Sequence, residues 1–195
     1  MVTFISEVRK LSDKKRSFSN SKLKNTVLIS LFTAIIAACS LITLPFPVPF
    51  TLQTLGIFSA LLVLGGKNGT IAISLYIAVG LVGIPVFSGF SAGIGHLMGA
   101  TGGYVIGFLL TALSYWSITA IFGNKTIPKV CGLSVGLVLC YTAGTLWYTS
   151  VYLRDVSISS VTSALAICVV PFIIPDIIKL TVAILIDRKL KIIKD

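Results

Sequence analysis

Asp176 and Lys179 are opposite charges three residues apart inside the last long apolar stretch of the chain, Val161 to Ile186. That spacing puts both side chains on one helix face, where they can share a single polar pocket. A Lys or Asp at the centre of a membrane helix costs about 2.5–3.5 kcal/mol to insert. A retained pair therefore marks an intramembrane binding or transport site, or an ionic staple between helices. Gln53 adds a carboxamide that donates and accepts at once, which suits a urea or amide ligand. His96 is the single histidine, so no second imidazole completes a histidine metal site or a catalytic triad. No phosphate-cradling loop or nucleotide fingerprint occurs, and an ATP-driven step would need another chain. The charge pair could exchange protons, but no nucleophile stands at a workable spacing, which leaves an enzymatic reading little support.

The elements that position these groups belong to a membrane protein. Of 195 residues, 55% are hydrophobic and 11% charged. No Asp, Glu, Lys or Arg lies between Lys24 and Lys67, or between Lys67 and Lys125. A soluble domain must cover itself with polar groups and cannot hide so much apolar sequence. The net charge of +10 is concentrated at the ends, with seven Lys/Arg in residues 1–25 and four in 187–195. Flanks of this kind fit cytoplasmic tails beside anionic lipid headgroups rather than a nucleic-acid surface. Cys39, Cys131, Cys140 and Cys168 all fall in apolar segments without ligand spacing, and read as small buried hydrophobes, not disulfides or metal ligands.

Apolar runs broken by Gly, Pro and charge predict six helices, at about Thr26–Leu44, Thr51–Leu64, Gly69–Val82, Gly102–Phe122, Lys129–Tyr148 and Val161–Ile186. The second and third are short for a full crossing. Ile36-Ala37-Ala38-Cys39 resembles a lipoprotein cleavage box, but the apolar run continues to Leu44 and more spans follow, so it reads as part of the first helix. The expected fold is an all-α membrane protein, with a basic tail (1–25), a six-helix domain (26–186) and a second basic tail (187–195). Six spans put both termini on one side. With that side cytoplasmic, the inner loops carry Lys67, Lys125 and Lys129, and the outer loops carry only Arg154 next to Asp155.

The outer connection from Gly83 to Gly99 is apolar and rich in Gly, unlike a solvated loop. Irregular backbone at membrane depth is tolerated where it is buried in protein or lines a cavity, so this segment reads as a lid or re-entrant piece over an outward-facing pocket, with a flexible loop partly submerged in headgroups as the alternative. Gly95, Gly99, Gly103 and Gly107 repeat every four residues, a stripe for close helix approach that also leaves room for a flat ligand. Thr101 is the expected N-cap of the fourth helix, whose free amides suit an anion or a carbonyl oxygen. Ser30, Ala34 and Ala38 form a small-residue face for a partner helix. Trp147, Tyr148 and Tyr152 cluster at the outer end of the fifth helix, as interfacial aromatics or as stacking groups.

Together these segments resemble the BioY family, the biotin-binding S components of energy-coupling-factor (ECF) transporters. The resemblance rests on Pro47-Val48-Pro49-Phe50-Thr51-Leu52-Gln53-Thr54-Leu55 and Gly83-Ile84-Pro85-Val86-Phe87, then Thr101-Gly102-Gly103-Tyr104, Gly144-Thr145-Leu146-Trp147 and Pro175-Asp176-Ile177-Ile178-Lys179. Ala100 stands where the family usually has proline, which would pre-set φ at the helix entry. The resemblance implies biotin held near the outer face by Gln53, Phe87, Gly93, Gly103, Tyr104, Asp176 and Lys179. It implies docking of the Ala34–Ala38 face on a transmembrane coupling subunit that works with two ATPases, in the cytoplasmic membrane of a prokaryote. No cofactor, metal or catalysis by this chain is implied. In this reading Lys179 is the first choice for the biotin carboxylate and the N-terminus of helix four its rival. Asp176 accepts a ureido N–H or keeps Lys179 charged, Gln53 serves either edge of the urea, and Phe87 and Tyr104 form apolar walls. The alternatives are another vitamin cargo such as thiamine or riboflavin, a stand-alone proton-coupled carrier in which Asp176 or Lys179 titrates, and a membrane-embedded enzyme or packing scaffold.

Overall fold

The computed structural model describes the backbone of residues 2–44 and 50–192 and the side chains of residues 21–44 and 50–190. Its helices are α1 (Val2–Leu41), α2 (Gln53–Leu81), α3 (Gly93–Leu97), α4 (Gly102–Phe122), α5 (Thr126–Trp147), α6 (Ile158–Cys168) and α7 (Val170–Ile192). A π-helical turn, Tyr148–Leu153, prolongs α5. The expected boundaries at 25/26 and 186/187 both fall inside continuous helices, α1 and α7. The first apolar run does not stay helical to Leu44. α1 ends at Leu41, and Thr43–Leu44 (β1) pairs antiparallel with Phe50–Thr51 (β2). The proline-rich residues 45–49 between these strands lie outside the described residues.

α2 contains the expected second and third helices in one element that reverses at Gly65. Its φ of 79° and ψ of 172° lie outside helical space, and glycine reaches them without a Cβ penalty. A Cβ on Gly69 would stand 2.9 Å from the Cα of Leu61. Gln53 bonds Tyr76 across 23 residues, a separation that a straight helix stretches to about 34 Å. The arms 53–64 and 66–81 therefore run side by side in opposite directions.

α4 and α5 are the most intimately packed pair, because each offers glycine where the other is bulky. A Cβ on Gly103 would come within 2.2 Å of Trp147, on Gly107 within 2.7 Å of Cys140 and on Gly136 within 2.7 Å of Thr111. Gly144 meets Tyr104 and Gly132 meets Tyr115 in the same antiparallel register. Half of the sequence-predicted stripe, Gly103 and Gly107, is thus a helix–helix seam. Gly95 has no heavy atom within 4 Å of where its Cβ would be.

The expected sixth helix is broken. α6 starts at the Ser157 cap, whose hydroxyl accepts from Ser160 N–H at 3.3 Å. It ends at Val169 (φ −123°, ψ −56°), and α7 continues at a bend of 40°. Pro171 sits in the first turn of α7, where its missing N–H costs no helical bond, while Pro175 lies inside the helix and removes one.

Among the described residues, Ser21–Leu41, α4 and Thr126–Leu153 are long and apolar enough to cross a membrane, the bent pair α6–α7 passes together, and the folded-back α2 meets the same length and hydropathy only with its two arms taken as one. The core gathers Ile36, Ile57, Phe58, Leu61, Tyr76, Tyr115 and Leu133. The outside is studded with exposed Leu31, Ile71, Trp116, Val138 and Ile174, as befits a bundle with lipid as its solvent.

Candidate ligand-binding site

Asp176 and Lys179 project from one face of α7 and are nearly sealed from solvent, at 3% and 7% exposure. Lys179 Nζ donates to Asp176 Oδ1 at 2.8 Å and to Thr54 Oγ1 at 3.1 Å. An ammonium can only donate, so the Thr54 hydroxyl accepts from it and passes its own hydrogen to Asp176 Oδ1 at 2.8 Å. Tyr141 O–H donates to the other oxygen, Oδ2, at 2.7 Å. The first arm of α2, α5 and α7 therefore meet on one carboxylate. The ammonium also lies 4.3 Å from the centre of the Phe50 ring, a cation–π contact. The insertion cost of the two charges is offset by pairing and by hydrogen bonds from three helices.

This cluster forms one wall of a cavity. Tyr104, Val105, Phe108, Leu137 and Phe172 supply apolar wall, and Ser88, His96 and Thr101 face it from the segment between α2 and α4. That segment is folded rather than loose. Phe87 bridges Ser91 in a one-pair antiparallel contact and is fully buried. Its ring packs edge-on against Tyr76 at 5.6 Å and stacks on His96 at 4.8 Å. His96 Nδ1 lies 2.7 Å from Ser91 Oγ and Nε2 lies 3.2 Å from Thr101 Oγ1. Burial among these groups lowers its pKa below 6.5 and keeps the imidazole neutral at pH 7.

The lid is tied down from beneath. Gln53 Nε2 donates to Tyr76 Oη at 2.9 Å, and Tyr76 O–H donates to the carbonyl of Val86 at 3.2 Å. Ser40 on α1 donates to the same carbonyl. Beyond it, Trp147 Nε1–H donates to the carbonyl of Gly99 at 3.2 Å.

Sequence and fold comparisons place this cavity in a family context. Residues 12–194 match the model of the BioY family. This chain belongs to the BioY family. It is 37% identical over 171 residues to the probable biotin transporter BioY of Pyrococcus horikoshii, covering 87% of this chain and 98% of that one. It is 40% identical over 162 residues to the biotin transporter BioY2 of Lactococcus lactis subsp. cremoris, with 82% and 86% covered. The fold is similar to a crystal structure described as the S-component for biotin from an ECF-type ABC transporter, with a TM-score of 0.75, 28% identity, and 88% and 93% coverage. A second S component of a bacterial ECF transporter, at TM-score 0.60 and 19% identity, shares the fold alone.

In this BioY-family chain the cavity brings together Gln53, Tyr104, Asp176 and Lys179 of the residues singled out from sequence. It does not bring Phe87, Gly93 or Gly103 to its wall. Phe87 stands behind His96, Gly103 faces Trp147 on α5, and Gly93 takes φ 79° at the entry of α3. Thr101 does not cap α4 with its side chain, because its hydroxyl is turned to His96. Ser30, Ala34 and Ala38 are exposed along α1. Thr54 and Tyr141 escaped sequence reasoning. Thr54 adjoins Gln53 in the Pro47–Leu55 stretch, whereas Tyr141 is one hydroxyl in an apolar helix and carries no local signal.

Proposed function

We propose that this chain captures biotin at the outer face of a prokaryotic cytoplasmic membrane and passes it inward as the substrate-binding component of an ECF-type transporter, without catalysis of its own. The observation that carries this reading is the buried Asp176–Lys179 pair on the wall of an otherwise apolar cavity. Such pockets hold ligands through apolar area and a few oriented polar groups, and biotin offers both a ring-and-chain body and a ureido edge. The names of the relatives support the same cargo.

α1, the two arms of α2, α4, α5 with its π turn, and the bent α6–α7 pair make six passages in this reading. Lys67 and Lys125 lie at one end of the bundle and Arg154, balanced by Asp155, at the other, which supports cytoplasmic termini. The exposed Ser30–Ala34–Ala38 face is the docking surface for a transmembrane coupling subunit, and two ATPase subunits supply the energy.

The hydrogen bonding favours the ureido group over the carboxylate as the partner of the charge pair. Asp176 already neutralises Lys179, and a second carboxylate at Lys179 would stand beside Asp176 as a like charge. A urea is neutral and presents donor and acceptor side by side. The valeryl carboxylate goes to the end of the cavity formed by Ser88, His96, Thr101 and the start of α4.

Calorimetric titration of the detergent-purified chain with biotin, with thiamine and riboflavin as controls, tests this. Saturable submicromolar biotin binding that disappears in Lys179→Ala supports it. No heat with biotin from a folded sample overturns it.

A further inference from the structure

We infer that Thr54 and Tyr141 are positioning residues that set the cargo selectivity of the Asp176–Lys179 pair, by limiting what the pair can still bond. The inference rests on the biotin reading and concerns how that cargo is told from its near neighbours. A carboxylate has about four lone-pair sites and an ammonium has three N–H groups. Oδ1 of Asp176 is filled twice, by Lys179 and Thr54, and Oδ2 once, by Tyr141. Two of the N–H groups of Lys179 are engaged, by Asp176 and Thr54. Among the described residues, one acceptor site on Oδ2 and one N–H on Nζ are left without an oxygen or nitrogen partner.

One acceptor beside one donor is the complement of a cyclic urea edge, N–H next to C=O. It is a poor complement for a group with two donors or two acceptors. Both tethers come from other helices, Thr54 from the first arm of α2 and Tyr141 from α5, so the residual pattern is held by packing rather than by α7. Removing the Tyr141 hydroxyl frees a second site on Oδ2. Removing the Thr54 hydroxyl frees one site on Oδ1 and one N–H on Lys179. Either change makes the pair less discriminating, not merely weaker.

The test compares biotin with 2-iminobiotin, whose cyclic guanidine is protonated at neutral pH and so presents only N–H donors where the ureido oxygen accepts. Affinities are read by titration and by competition with labelled biotin, for wild type, Tyr141→Phe, Thr54→Val and Thr54→Ser, each checked for folding by thermal unfolding. The wild type should prefer biotin strongly. Tyr141→Phe and Thr54→Val should each narrow the biotin-to-iminobiotin ratio about tenfold or more, the scale of one buried hydrogen bond. Thr54→Ser keeps the bridging hydroxyl and should retain the wild-type ratio. A ratio unchanged in folded Tyr141→Phe and Thr54→Val, whatever the absolute affinity, overturns the inference. A folded wild type that binds no biotin overturns the cargo reading, and the inference falls with it; a flat ratio removes the inference alone.

Discussion

Lys129 on α5 donates to Asp187 on α7 at 3.1 Å, and its ammonium also donates to the carbonyl of Leu62 at 3.3 Å, in the last turn before α2 reverses at Gly65. Both charges are buried, at 7% exposure each. The molecule thus has a second buried ion pair at the end opposite the cavity. Reversal at Gly65 releases carbonyls of the preceding turn from their helical donors, and a lysine fills one of them.

Lys129→Met should therefore be severely destabilising. It removes one partner of a buried ion pair and the donor to the Leu62 carbonyl, a loss of about 3–5 kcal/mol. The double variant Lys129→Met, Asp187→Leu should recover most of it, and biotin affinity in the folded fraction should hardly move, because the cavity is at the other end. Thermal unfolding in detergent measures the first two and titration the third. A double variant no better than the single one would show that the pair is not the source of the loss.

Glycine substitutions should divide sharply by position. Alanine at Gly103 or Gly136 puts a methyl within 3 Å of Trp147 or of the Thr111 backbone, an overpacking cost of about 1–3 kcal/mol. Alanine at Gly95 meets nothing within 4 Å and should be neutral. Equal unfolding temperatures for all three would contradict the seam.

Acid should weaken the lid through His96. Its folded pKa lies below 6.5 because burial disfavours the imidazolium, so the unfolded chain binds a proton more readily. Stability is then fully present above about pH 6.5, falls as pH drops below that value and levels off below the folded pKa. The unfolding temperature between pH 7.5 and 5 should fall less steeply in His96→Gln than in the wild type. Parallel slopes would remove His96 as the cause.

Single substitutions at the charge pair should abolish tight binding. Asp176→Asn or Lys179→Ala strands one partner in a closed site, a loss of about 2–5 kcal/mol in ligand affinity on the scale of other buried charge pairs. Titration with biotin reads this directly. Tight binding that survives in both variants would exclude the pair from the site.

Leucine at Ala34 or Ala38 should separate docking from capture. Both side chains are exposed on α1 and away from the cavity wall, so biotin affinity should be unchanged while co-purification of the proposed coupling subunit and ATPases is lost. A complex that survives both changes would place the docking face elsewhere.

Composition and local spacing alone determined the membrane-embedded helical character, the same-face placement of Asp176 and Lys179, and the small-residue face of α1. All of these are properties of neighbouring residues, read from a charge-free apolar run or a three- to four-residue repeat. Only tertiary structure decided what surrounds them. Thr54 reaches Asp176 across 122 residues and Tyr141 across 35, and no local period encodes such meetings. Gly65 reads in sequence as one more glycine in a turn, and its reversal is what brings Gln53 against Tyr76. Phe87 looks like a pocket wall by its place in the lid. It lies behind His96 because Gly80 offers no side chain, so the ring fills that space. Lys129 reads as a loop charge until the end of α7 carries Asp187 to it, since a buried charge is tolerated only where folding delivers its partner.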